Sequence, residues 1–283
     1  VRFDDEERIH GFTFGGRVEG PFTDPIVQCL VFIAVVSAIF VALPGIDAWF
    51  TDLFHLDGDG FPMSRLGAFT ALREVGRRST AVVPTVLVAV LLYKVARPDR
   101  RILIPPAKIV FMLSSLAIGS GIVANLVFKA NWGRPRPGNV DLFGGTLPFV
   151  PAWRITDYCP ANCSFISGEA SSAFWLLGLA ALVPAVWRPT ALRWLAVLAV
   201  LISFNRIAFG GHFLSDVLLG WGFTALVMVV IYRFTVEQPL PWVANARLEA
   251  DLTRLGHWVR RRLGLANGPV ARITDFSDGG DLP

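Results

Sequence analysis

Charged side chains are scarce in this chain: Asp, Glu, Lys and Arg make up 17% of its 283 residues, against about 25% in an average soluble domain. No hydrophilic segment is long enough to form a second large domain, and no internal repeat is evident. A basic n-region running into a short apolar h-region is also missing, so no cleavable signal peptide is expected. The net charge of +4 comes without an aromatic-basic reading motif, and the arginines sit beside apolar runs or in the tail. Nucleic acid is therefore set aside as a partner, in favour of anionic lipid and phosphate. Cysteine is limited to three residues. Cys29 falls inside an apolar run. Cys159 and Cys163, in the polar stretch CPANC, lack the further ligands a zinc site needs. The pair is a disulfide if its loop faces an oxidising compartment, and two free thiols otherwise.

Apolar residues are abundant: 53% of the chain, with a mean hydropathy of +0.53. They gather in runs of roughly 16 to 20 residues, the length that crosses a hydrocarbon core. The expectation is an all-α polytopic membrane protein with six transmembrane helices. Five of these lie near residues 26–43, 80–96, 109–128, 170–187 and 213–232, and one more ends near Asn205. Ahead of the second, Leu66, Phe69, Leu72 and Val75 have helical spacing beside Arg65, Arg73, Arg77 and Arg78. That pattern predicts a helix along the interface, its basic face either solvated or clamping an anionic headgroup.

Three domains are expected: an N-terminal cytoplasmic segment (1–25), the six-helix domain (26–233) and a cytoplasmic tail (234–283). The tail carries Leu248, Leu252, Leu255, Trp258 and Val259 at helical spacing, which predicts an amphipathic helix on the inner leaflet. Arginines crowd residues 97–101, 188–193 and the stretch from Arg233 onward, all on one side of an even-numbered bundle. That side is assigned to the cytoplasm. The stretches KANWGRPRP (129–137), SFISGEAS (164–171) and NRIAFGGHFLSD (205–216) then face the periplasm or exterior, and the cysteine pair faces oxidising conditions.

These stretches carry the chemistry. His212 and Asp216 are four apart on one helix face. Asp216 is expected to bind one imidazole nitrogen and leave the other free as a nucleophile for phosphorus. An aspartate within a membrane span is costly unless paired or functional. Arg206 is turned toward His212 by Gly210-Gly211. Lys129, Arg136 and the intervening Arg134 add positive charge that suits a phosphate. Ser167-Gly168 opens a helix, where free amides bind anions; a plain N-cap is the alternative for Ser164 or Ser167.

The pattern Lys129-x6-Arg136-Pro137, Ser167-Gly168, Arg206-x5-His212-x3-Asp216 resembles the type 2 phosphatidic acid phosphatase superfamily, which also holds bacterial acid phosphatases and vanadium haloperoxidases. The resemblance implies a haloperoxidase-like helical core and a phosphatase that works without metal or cofactor through a phosphohistidine on His212. By the same resemblance Lys129, Arg136, Arg206, Ser167 and the Gly168 amide bind the phosphoryl oxygens. Ile166 and Asn205 stand where the family has proline and serine. Glu169 stands where it usually has a histidine that protonates the leaving group. Glutamic acid does that job only while it holds its proton, which nearby cations oppose and a bound phosphate dianion favours. The SGEAS form, FVALPGIDAWF and CPANCSF are similar to the lipid A phosphatase branch, the 4′-specific members in particular, which acts at the outer face of Gram-negative inner membranes. A phosphate monoester on an anionic membrane lipid is thus the expected substrate. Undecaprenyl pyrophosphate and phosphatidylglycerophosphate are the alternatives, and a non-catalytic lipid-binding or transport protein of the same fold is a third reading.

Overall fold

The computed structural model describes residues 23–265. The expected N-terminal segment therefore lies almost wholly outside the described residues. Helix α1, Pro25–Ala42, starts where Asp24 Oδ1 accepts from the Ile26 amide at 2.8 Å, with Pro25 supplying a preset φ. It is apolar all round, packs on α7 (Leu214–Tyr232), and stops before Pro44. A short helix α2, Gly45–Asp52, follows.

The interface helix and the second span expected from the sequence are one element. Helix α3 runs unbroken over Gly67–Ala96, 30 residues and about 45 Å, longer than the ~30 Å hydrocarbon core. Its arginine-rich first turns are an extension of the span beyond the membrane. At the other end Lys94 is buried and donates to the Pro98 and Arg100 carbonyls at 2.8 Å each, with Glu249 at 3.5 Å. Glu249 belongs to α8, Asn245–Arg262, which packs directly on α3. Helix α4, Pro106–Lys129, begins as α-helix and widens to π-type hydrogen bonding from Leu116 onward. Such widening accompanies functional positions, and here it ends on Lys129.

Helix α5, Gly168–Leu182, corrects the expected fourth span. After eight α-helical residues it tightens into a seven-residue 3-10 helix, and the chain leaves helical geometry at Val183, before Pro184. Proline has no amide to continue the ladder and disfavours helix in the residue before it. Helix α6, Ala185–Ala208, returns the chain. Among the described residues, five helices are long and apolar enough to cross a membrane (α1, α3, α4, α6 and α7, the last continued to Glu237), and α5 is a shorter apolar helix. The chain is therefore an all-α, multi-pass membrane protein.

The 130–167 loop is pinned by aromatic rings and by its own backbone. Phe128, Trp132, Trp153 and Phe165 form a cluster with centroids 5.2–5.9 Å apart. Cys159 and Cys163 are joined in a disulfide with Cα atoms 5.7 Å apart. Gly133 has φ +65°, and a Cβ there would stand 1.7 Å from the Thr156 carbonyl oxygen. Gly144, at φ +81°, has open space around it. Gly144→Ala should therefore cost only about 1–2 kcal/mol, the left-handed penalty, whereas Gly133→Ala adds a backbone clash. Thermal unfolding in detergent should show a small shift for the first and loss of folded protein for the second; equal shifts would mean that the loop does not close this way.

Candidate active site

The polar stretches named above are stitched together by backbone hydrogen bonds. The Ser164 amide donates to the Arg134 carbonyl at 2.8 Å, Ser167 to Asp216 at 3.0 Å, and Gly138 to Gly210 at 2.9 Å. Gly210 sits at φ +64° and Gly211 bonds back to the Arg206 carbonyl at 3.0 Å, so the chain reverses between α6 and α7. A Cβ on Gly211 would lie 2.5 Å from Arg206 Nη2. That glycine is what lets the guanidinium lie under the turn.

His212 is 1% exposed, and its Nδ1 lies 2.7 Å from the Ser164 carbonyl oxygen. A carbonyl only accepts, so Nδ1 carries the proton and Nε2 keeps its lone pair. Asp216 Oδ2 is 3.8 Å from Nδ1, an ion-pair distance but not a hydrogen bond. The direct Asp216–His212 hydrogen bond expected from the i, i+4 spacing is therefore corrected. Asp216 acts one step back, accepting from Ser164 Oγ and from the Phe213 amide at 2.9 Å. Burial pushes the imidazole down to about 4, helped by the charges of Arg206 and Lys129 and opposed by Asp216. A ring so shifted is neutral at physiological pH.

Arg134 also needs correction. Expected against the substrate, it is wholly buried. It donates to Asp216 Oδ1 at 2.6 Å, Asp47 Oδ2 at 2.8 Å, Ser215 Oγ at 2.9 Å and the Val150 carbonyl at 2.8 Å, and its guanidinium lies 4.2 Å from the Phe213 ring centroid. Four of its five N–H donors are committed to these acceptors, and the side chain is shut away from any ligand by its burial. Asp47, on α2, is equally buried and also accepts from the Ser215 amide at 2.8 Å. Nothing in the sequence pairs Asp47 with Arg134 across 87 residues.

The remaining cations gather around Glu169. Arg206 is 2% exposed and its Nη1 has no hydrogen-bond partner. Arg136 donates to the Asn162 carbonyl at 3.0 Å and to Asn162 Oδ1 at 2.6 Å. Lys129, Arg136 and Arg206 all share the field of Glu169, so they cluster around one point. Ser167 is the N-cap of α5, its Oγ accepting from the Ala170 amide at 3.2 Å, and Gly168 starts that helix against Asn125. Glu169 pairs with two guanidiniums, Arg206 Nε at 3.2 Å and Arg73 Nη2 at 3.2 Å. The sequence marks Arg73 only as one of several bases on a helix face; its place in the site follows from α3 starting at Gly67, well before the apolar run. Among the described residues no group of three or more His, Cys, Asp or Glu is placed to hold a metal ion.

Comparison with known proteins accords with this geometry. The profile of the PAP2 superfamily matches residues 108–239. A lipid A 4′-phosphatase of Rhizobium leguminosarum is 38% identical over 214 residues, covering 71% of this chain and 92% of that protein. The chain belongs to the PAP2 superfamily. A lipid A 4′-phosphatase of Rhizobium etli is 37% identical over 71% of the chain and 83% of its own length. One from Francisella tularensis subsp. novicida is 39% identical over 44% of the chain and 56% of its own length. No solved structure matches. This PAP2 protein is thus a polytopic bacterial membrane phosphatase acting on a lipid. The profile spans Lys129 to Asp216, and leaves Asp47 and Arg73 outside it.

Two measurements check the PAP2 site as built. Asp47→Ala strands a buried guanidinium and should cost about 3–5 kcal/mol, while Asp47→Asn keeps one acceptor oxygen in place and costs less; indistinguishable unfolding midpoints would mean the cluster is not buried. In the unfolded chain His212 titrates near 6.5, and in the fold near 4. The unfolded state therefore binds the extra proton between those values, and stability should fall as pH drops through that window. His212→Gln should remove that part of the slope, and an unchanged slope would place the titration elsewhere.

Proposed function

We propose that this PAP2 phosphatase hydrolyses a phosphate monoester on a lipid A-type saccharolipid, or a precursor of it, through a phosphohistidine at His212. The observation that carries the reading is the fixed tautomer: Nδ1 is committed to the Ser164 carbonyl, and Nε2 is left for phosphorus beside Lys129, Arg136 and Arg206. Those cations and the amide of Gly168 bind the phosphoryl oxygens. The Nε2 lone pair attacks phosphorus, the ester P–O bond breaks, and the leaving oxygen takes a proton from the Glu169 carboxyl. The phosphorylated ring is cationic, which Asp216 at 3.8 Å stabilises. Water then gives a proton to the Glu169 carboxylate and attacks phosphorus, the P–N bond breaks, and inorganic phosphate leaves.

The substrate class rests on the relatives, which carry the name lipid A 4′-phosphatase. An outward-facing site in the inner membrane rests on the arginine distribution and on the disulfide-bonded loop beside the site. That topology needs α5 to make a sixth crossing. Its eight α-helical and seven 3-10 residues rise about 26 Å, close to the core thickness. One observation favours a second reading. Glu169 sits between two guanidiniums, and a pyrophosphate leaving group, as in undecaprenyl pyrophosphate, needs less protonation.

Phosphate release by the purified protein separates these readings. Release should be fastest from lipid A or its precursors and absent in His212→Ala. Glu169→Gln should slow that release by about 10²–10⁴-fold, the usual worth of a general acid. Preference for undecaprenyl pyrophosphate with Glu169 dispensable would move the assignment to the second reading. No release from any of these lipids would support a lipid-binding or transport role.

A further inference from the structure

The proposed chemistry needs Glu169 protonated, yet both of its ion-pair partners are guanidiniums. Arg73 approaches with Nη2 3.2 Å from Oε1 and Nε 3.4 Å from Oε2, and Arg206 Nε lies 3.2 Å from Oε2. Lys129, Arg136 and His212 complete its charged and titratable surroundings. The carboxylate thus stands in the cationic pocket where a phosphate would bind. Two features mark this as a site built for a different anion. Arg206 Nη1 is buried and unpartnered, so one carboxylate does not satisfy the guanidinium. Arg73 and Glu169 keep 39% and 29% of their side chains exposed, so the pocket is open to an incoming headgroup.

Arg73 is held for this position. Its helix is tied to α6 where Asn205 Nδ2 donates to the Phe69 carbonyl at 2.7 Å, one helical turn before it. Gly76, one turn after it, seats against Ile202, whose Cγ2 would be 3.0 Å from an added Cβ. The neighbouring Arg77 and Arg78 turn instead to Glu74 on the exposed face, at 3.5 and 2.8 Å.

We propose that Arg73 is a further substrate ligand, and that the substrate phosphate takes Arg73 and Arg206 away from Glu169, which arms Glu169 as the acid. A phosphate monoester carries a charge of about −1.5 to −2 and more acceptor oxygens than a carboxylate, so it competes well for two guanidiniums. Once they are transferred, Glu169 is left without its cationic partners and beside an anion, which favours uptake of a proton from water. The protonated carboxyl is then next to the leaving oxygen. This inference rests on the phosphohistidine reading above, but it assigns a role to a residue outside the span that the superfamily profile matches.

The test uses the full chain in detergent, with inorganic phosphate as a competitive probe and n-octyl and 4-nitrophenyl phosphate as poor and good leaving groups. Arg73→Gln should weaken phosphate about tenfold or more, the worth of a charge-assisted bond, with Arg73→Lys recovering part of the loss. Glu169→Gln should do the opposite and tighten phosphate, because the competing anion is gone, while slowing octyl phosphate far more than nitrophenyl phosphate. A merely structural Arg73–Glu169 pair would weaken phosphate equally in both variants, and that result overturns the proposal. So does an Arg73→Gln inhibition constant within twofold of the parent. If His212→Ala retains turnover, the underlying reading fails; if His212→Ala is inactive and Arg73→Gln is unchanged, only the inference fails.

Discussion

The buried guanidinium of Arg134 is the interaction on which the site depends. A guanidinium and two carboxyl groups leave water together here, and each charge would cost several kcal/mol if left unpaired. The cost is met because Arg134 bridges Asp47 on α2 and Asp216 on α7 while its remaining nitrogen reaches the Val150 carbonyl. From that fixed point order is passed outward. Asp216 holds the Ser164 hydroxyl and the Phe213 amide, and the Ser164 carbonyl holds the imidazole. His212 is aimed by a serine whose own position is set by a buried ion cluster.

The charges near His212 fall into two groups. In the Arg134 cluster they are closed off, paired and desolvated. Around Glu169, Lys129, Arg136, Arg206 and Arg73 make an excess of positive charge that an anionic substrate would relieve. Burial together with this surplus keeps the ring neutral, with its proton uptake displaced to about 4. A neutral ring with Nδ1 occupied presents one lone pair in one direction. Glu169 gives the same pocket its provisional anion.

Much of this was readable from residues alone, and the failures have physical causes. Spacing and family resemblance single out His212, Asp216, Arg206, Lys129, Arg136, Ser167, Gly168 and Glu169, and the fold draws their stretches together. The spacing of His212 and Asp216 fixes their shared face but not the 3.8 Å between their atoms, because a carbonyl from another stretch intervenes. Arg134 reads like its neighbour Arg136, and only burial separates a structural base from an exposed one. Asp47 and Arg73 have partners 87 and 96 residues away, beyond any local pattern. Hydropathy extends the α5 span past Leu182, whereas the backbone leaves helical geometry at Val183, ahead of Pro184. The arginine-rich segment was cut from α3 because polarity changes along a helix that does not itself break.

The central claim is that Nε2 of His212 becomes covalently phosphorylated. Rapid acid-free quenching of the protein during turnover, followed by peptide mass spectrometry, tests it most directly. The account predicts a phosphoryl mass increment on the peptide containing His212, accumulating within one turnover and decaying with phosphate release. Full turnover with that peptide unmodified, or with the increment on another residue, would contradict it.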